Sequence, residues 1–140
     1  MKFINNFVKD RGFGFWLSLL SALLAIITAI IYLICYLAIS GQQMDRVFSP
    51  FTLIFTLIGG LVILVGEHFR LDYVSMLGTI CLSFGLANHS VEAAYPLADV
   101  GTGVDFFGGN KVLAILFLVL IGLAFLTSAT SNFFEHNKVN

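Results

Sequence analysis

The 140-residue chain is 59% hydrophobic and 14% aromatic but only 11% charged, with a formal net charge of -1. A soluble domain carries about 25% charged residues, and a water-soluble fold of this length has too little interior to hide so much apolar surface. The charge balance also lacks the basic surface that nucleic acid requires, so composition excludes both classes and points to the membrane.

Four uncharged apolar stretches cover residues 13–40, 51–66, 73–87 and 112–130. A bilayer core of about 30 Å needs roughly 20 apolar residues per helix. The spacing therefore predicts an all-α, polytopic membrane protein. It forms one four-helix transmembrane domain over residues 1–140, with short loops and one longer outer loop between the third and fourth helices. The first stretch follows Lys2, Lys9 and Arg11. It is far longer than the roughly 7–15 residues of a signal-peptide core, so it reads as an uncleaved helix. Trp16 near its start and Tyr32 and Tyr36 near its end suit the two interfacial belts. Ser18, Ala22, Ala25 and Ala29 form a small-residue stripe along it.

Ser49 and Pro50 predict an N-cap followed by proline at the first helical position of the second span. Thr52, Thr56 and Gly60 recur every four residues on that span. Residues 67–72 give a link so short that the second and third spans must form an antiparallel hairpin, with Asp72 placed to cap the third. Ser75, Thr79, Ser83 and Ala87 repeat the four-residue spacing there. Helices in lipid pack through such stripes, because close backbone approach replaces the missing hydrophobic drive. Thr56, Gly60, Ser75, Thr79, Ser83 and Ala87 are therefore the candidate packing positions. The segment 88–110 reads as the only sizeable exposed stretch, and Gly108, Gly109 and Asn110 predict the turn into the fourth span.

Orientation follows from basic residues. Four spans put both termini on one side. That side carries Lys2, Lys9, Arg11, Arg70 and Lys138, whereas the other carries Arg46 and Lys111. The expectation is a multi-pass cell-membrane protein with both termini cytoplasmic. Asp45, Glu92, Asp99 and Asp105 then give the outer face an acidic character.

The predicted spans contain no Asp, Glu, Lys, Arg or His. Intramembrane charge usually marks an ion or proton pathway, so its absence weighs against proton-coupled transport and intramembrane metal chemistry. Cys35 and Cys81 lie inside spans without ligand-spaced neighbours and read as small packing residues. Glu67, His68, Arg70 and Asp72 read as a solvated polar turn, with a pH switch at His68 as the alternative. His136 reads as part of a polar tail. His89 and Glu92 share a face if the third helix runs on, but two ligands are too few for a metal. Residues 99–105 match neither a calcium loop nor a phosphate loop. No cofactor is expected, and no nucleophile, base and acid set of an enzyme is recognisable.

Tyr95, Asp99, Asp105, Phe106 and Phe107 are the candidate partner-binding residues, because they combine aromatic area with charge on the exposed segment. The short inner hairpin and the segment 104–110 before the last helix resemble small uncharacterised four-span membrane proteins of bacteria. That resemblance implies no activity. The chain does not resemble claudins, since its first outer loop lacks their Trp and paired Cys. Nor does it resemble small multidrug exporters, whose first helix carries a carboxylate. The leading expectation is a non-enzymatic accessory or scaffold protein in the bilayer, bound to itself or to another membrane or surface protein. The alternative is a small oligomeric channel or transporter for a neutral or weakly polar solute.

Overall fold

A computed structural model describes residues 1–38, 48–104 and 111–136. Among them run six helices: α1 (Lys2–Val8), α2 (Phe13–Ala38), α3 (Pro50–His68), α4 (Asp72–Glu92), α5 (Ala94–Thr102) and α6 (Lys111–Ser131). Helices α2, α3, α4 and α6 are long and apolar enough to cross a membrane. They form the expected all-α bundle. Around it α3 lies between α2 and α4, and α6 closes the ring against α2 and α4. Arg11, Glu67 and His136 meet at one end, while Tyr32, Ser49, His89 and Ala114 meet at the other. The spans therefore alternate in direction, and the described parts of both terminal regions share an end.

Small residues set the helix spacing. A Cβ added at Gly60 would lie 2.9 Å from Ile26 Cγ1 and 3.2 Å from the Ala22 carbonyl. One added at Gly59 would meet Leu82 Cδ2 at 2.9 Å. Close approach of this kind is how helices gain contact where lipid is as apolar as the side chains. Two apolar clusters fill the interior. One comprises Ala22, Ala25, Ile63, Leu82 and Ala124. The other comprises Tyr32, Ala93, Leu113, Ala114, Phe117 and Ile121. Large side chains such as Leu20, Leu23, Ile27, Ile58, Phe84 and Val119 face outward.

Polar groups on the outer flanks bond to their own helices. Thr127 donates to Leu123 O at 2.6 Å, Thr130 to Leu126 O at 2.7 Å and Asn88 to Phe84 O at 3.0 Å. A bilayer offers no water to do this, so self-bonding lets these faces meet lipid. The bundle's exterior thus follows the rule that composition implied.

Several expectations need correction. Helices α3, α4 and α6 run past the predicted stretches, so α3 includes Glu67 and His68 while α4 includes His89 and Glu92. Hydropathy stops at the first polar residue, but helical hydrogen bonding does not. Glu67 and His89 are both buried, at 2% and 0% exposure. The segment 88–110 is not one long loop, since α4 continues to Glu92 and α5 follows. Pro96 sits in the first turn of α5, where its missing N–H is tolerated. Gly103, at φ 72°, ends that helix with its N–H on the Asp99 carbonyl.

The capping positions also shift. Ser49 is the N-cap of α3 with Pro50 behind it, but its side chain does not cap. Leu71, not Asp72, is the N-cap of α4, and Asp72 sits in its first turn. Residues Gly108, Gly109 and Asn110 lie outside the described residues.

The packing stripe of α4 is also different. Ser75, Gly78, Thr79, Leu82, Gly85 and His89 are buried, while Ser83 is half-buried and Ala87 exposed. Strict four-residue steps drift about 40° per step around a helix of 3.6 residues per turn. The contact therefore follows mixed three- and four-residue steps, and Ser83 and Ala87 rotate off it. Thr56 and Gly60 stay buried on α3. Cys35 and Cys81 are half-buried and free.

Candidate functional site

Among the described residues a dense polar site lies at the end where Arg11, Glu67 and His136 meet. Arg11 follows a left-handed turn at Asp10, φ 56°, which directs the chain from α1 into α2. Its Nε donates to Phe7 O at 2.7 Å and its Nη2 to Glu67 O at 2.6 Å. The guanidinium stacks over Phe15 at 4.5 Å, and its Nη1 lies 3.8 Å from Glu67 Oε2. Burial, then Arg70, lowers its pKa, opposed by Glu67 and Asp72. Arginine remains protonated all the same. A planar, always-charged fork is suited to this setting, because it reaches a carbonyl and a carboxylate of the same residue.

Glu67 receives two further partners. Ser75 Oγ donates to its Oε1 at 3.1 Å, and His136 Nδ1 bonds the same oxygen. His136 comes from the segment after α6. That segment turns beneath the start of α2, where Gly12 N–H donates to His136 O and Gly14 N–H to Glu135 O, each at 3.0 Å. A Cβ at Gly14 would lie 2.6 Å from Phe134 O, so only glycine admits the segment. Phe134 sits edge-on to Phe13 at 5.0 Å. The polar network continues into the bundle, where Thr79 and Ser128 hydroxyls lie 2.5 Å apart and Asn132 donates to Thr79 at 3.1 Å. Buried charge is costly unless it is paired and hydrogen-bonded, and here the terminal segments supply the pairing.

His136 is thus not a solvated tail residue, being 6% exposed. Its pKa is raised, first by the hydrogen bond to Glu67, with burial opposing. His68 remains exposed, with its ring packed on Phe3 and Phe7 from α1. Residue pattern alone gave little sign of this site. The available signals were an acid directly after the uncharged run, at Glu67, and the closely spaced Gly12 and Gly14 beside Arg11.

The opposite end holds a second group. Tyr32 accepts the Ser49 N–H at 2.7 Å, so a phenol from α2 satisfies an amide at the start of α3. Phe48 stacks between Tyr32 and Tyr36, at 5.1 and 3.8 Å. His89 Nε2 lies 2.9 Å from Ala114 O. A carbonyl only accepts, so Nε2 carries the hydrogen. His89 Nδ1 is buried with no hydrogen-bond partner among the described residues. Because Nε2 is committed and Glu92 is exposed, the pair does not form a metal-binding face. Among the described residues no group of three His, Cys, Asp or Glu side chains is placed to hold a metal.

Helix α5 covers this end. Pro96 and Asp99 face inward, with Asp99 only 1% exposed. Tyr95 faces outward at 53% exposure, with Val91, Val100, Val104 and Val112 also exposed. The candidate partner-binding set is therefore divided: Tyr95 is on the surface, Asp99 is inside, and Asp105, Phe106 and Phe107 lie outside the described residues. Asp99 lies one turn beyond Pro96, three residues on, and shares with it the side of the helix that packs on the bundle. No family model, curated protein or solved structure matches the chain.

Proposed function

We propose that this chain is a non-enzymatic accessory protein of the cell membrane, with cytoplasmic termini, that binds another membrane or surface protein at the end covered by α5. One observation carries the reading. Helix α5 is anchored through Pro96 and Asp99, leaving Tyr95 and Val100 exposed on the two flanks of that buried side, while Val91, Val104 and Val112 in the neighbouring parts of the chain are exposed as well. Exposed apolar side chains that include an aromatic residue suit an interaction site. The orientation rests on the positive-inside distribution of Lys2, Lys9, Arg11 and Arg70. Solute passage has less support, since the gap lined by Thr28, Tyr32, Thr52 and Thr56 between α2, α3 and α6 is too narrow for water.

The test is a photo-crosslinking amino acid placed at Tyr95, with Ile58 on the outward flank of α3 as the control. A discrete protein adduct from Tyr95, absent from Ile58, is expected. An adduct of twice the chain mass would identify a second copy as the partner. Lipid adducts alone at both positions would refute the reading.

A further inference from the structure

We propose that the segment 133–136 is a proton-controlled latch. While Glu67 and His136 hold a proton between them, the segment stays seated beneath α2; loss of that proton releases it. The argument starts from the ring. His136 Nε2 lies 2.9 Å from the Ser131 carbonyl, which only accepts, so Nε2 carries a hydrogen. Nδ1 faces Glu67 Oε1. A neutral ring with its hydrogen on Nε2 would aim a lone pair at a carboxylate oxygen, which is repulsive. One further proton is therefore required in that contact, on the ring or on the carboxyl.

The two partners lose unequally when it leaves. Glu67 keeps Ser75 Oγ at 3.1 Å and Arg11 Nη1 at 3.8 Å, both held by the rest of the bundle. His136 loses its only side-chain partner among the described residues and meets an uncompensated carboxylate instead. The segment is then held by the two backbone bonds from Gly12 and Gly14 and by the Phe13–Phe134 contact. It is therefore the segment that moves, not Glu67.

The charged groups around the ring are Glu67 from α3, Asp72 at the start of α4, Arg11 before α2, and Glu135 on the segment itself. Glu67 and Asp72 both favour the protonated ring, and burial opposes it. A cleft of about 310 Å³ lined by Asp72, Met76, Asn132, Phe133 and Glu135 adjoins His136, which gives the proton a path to water. The sign follows. The folded pKa of His136 is raised above its ordinary 6.5, so the latch's stabilisation is fully present below pH 6.5. It is lost as pH rises through the folded value.

The experiment uses the full chain in lipid nanodiscs with Cys35→Ser and Cys81→Ser. Spin labels are attached through Met76→Cys and Phe133→Cys, both exposed on the cleft. Interspin distances are measured from pH 5.5 to 9.5. A short, narrow distribution should give way to a longer, broader one, with a single-proton midpoint above 6.5. In Glu67→Gln, the amide N–H donates to Nδ1 of a neutral ring, so the short distance should persist at every pH. In His136→Gln, the ring that shares the proton is gone and an amide N–H can donate to Glu67 in its place, so the distribution should be the same across the range. An unchanged distribution in the parent would overturn the proposal. So would a transition that survives in His136→Gln, which leaves Glu67 and its Arg11 contact in place should Glu67→Gln fail to fold.

Discussion

Gly78 offers the sharpest test of how the bundle is held together. It faces α3, where a Cβ would overlap Ile63 Cγ1 and lie 2.9 Å from Gly59 O and 3.1 Å from Ile63 N. The Ile63 side chain can turn aside, but the other two are backbone atoms that cannot, so α3 and α4 must separate by several tenths of an ångström. Overpacking of this kind costs about 1–3 kcal/mol. Alanine recovers about 1 kcal/mol of helix propensity, which leaves Gly78→Ala destabilised by up to about 2 kcal/mol. Gly122 is the matched control, because a Cβ there meets nothing within 4 Å. Gly122→Ala should keep the propensity gain and stabilise by about 0.5–1 kcal/mol. Gly59→Ala should fall between the two, since its Cβ meets the rotatable Leu82 Cδ2 at 2.9 Å but also Gly78 O at 3.1 Å. The assay is unfolding in mixed micelles titrated with a denaturing detergent, followed by far-UV circular dichroism. A Gly78→Ala variant as stable as Gly122→Ala would mean that α3 and α4 do not approach through this face.

Two further perturbations probe other layers of the fold. Thr79→Leu removes a hydroxyl bonded to Ser128 and Asn132 inside the bundle, and should lower stability by about 1–3 kcal/mol. Ser83→Leu, on a half-buried flank where the hydroxyl bonds only its own helix, should stay within about 0.5 kcal/mol of the parent. Equal effects in the same titration would contradict the contact face assigned to α4. Tyr32→Phe leaves the buried Ser49 amide without its phenol acceptor, for an expected loss of about 1–3 kcal/mol. Amide exchange at Leu53 and its neighbours, measured by mass spectrometry, should accelerate with it; unchanged protection would show that the start of α3 does not depend on that bond.

The bundle was legible because the bilayer imposes a single strong rule. An uncharged run of sufficient length has to be a helix, and the described part of each of the four runs is one. Helix ends were less legible, because polarity marks where hydrophobicity stops rather than where hydrogen bonding stops. Glu67 and His89 show the consequence. Each follows an apolar run, so each reads as the start of a solvated link, yet each continues its helix and turns inward. The burial of Asp99 was not legible for a related reason. An acid in a segment with glycines and an aromatic looks like an exposed loop. Residues 94–102 are instead helical, and the packing of that helix on the bundle leaves Tyr95 53% exposed but Asp99 only 1%.

The site at the terminal end could not be read from local pattern at all. Arg11, Glu67 and His136 are separated by 56 and 69 residues along the chain, and none lies in a motif. What unites them is topology. An even number of spans returns the chain to the end where it began, so polar residues just beyond the first, second and last spans arrive at one place. There a buried carboxylate at the end of α3 needs neutralising, and among the described residues the segments before α2 and after α6 bring Arg11 and His136 to it. Arg11 supplies a permanent charge and His136 a titratable one. The permanent partner holds Glu67 to the bundle at any pH, which leaves the titratable partner able to come and go without unfolding the helices.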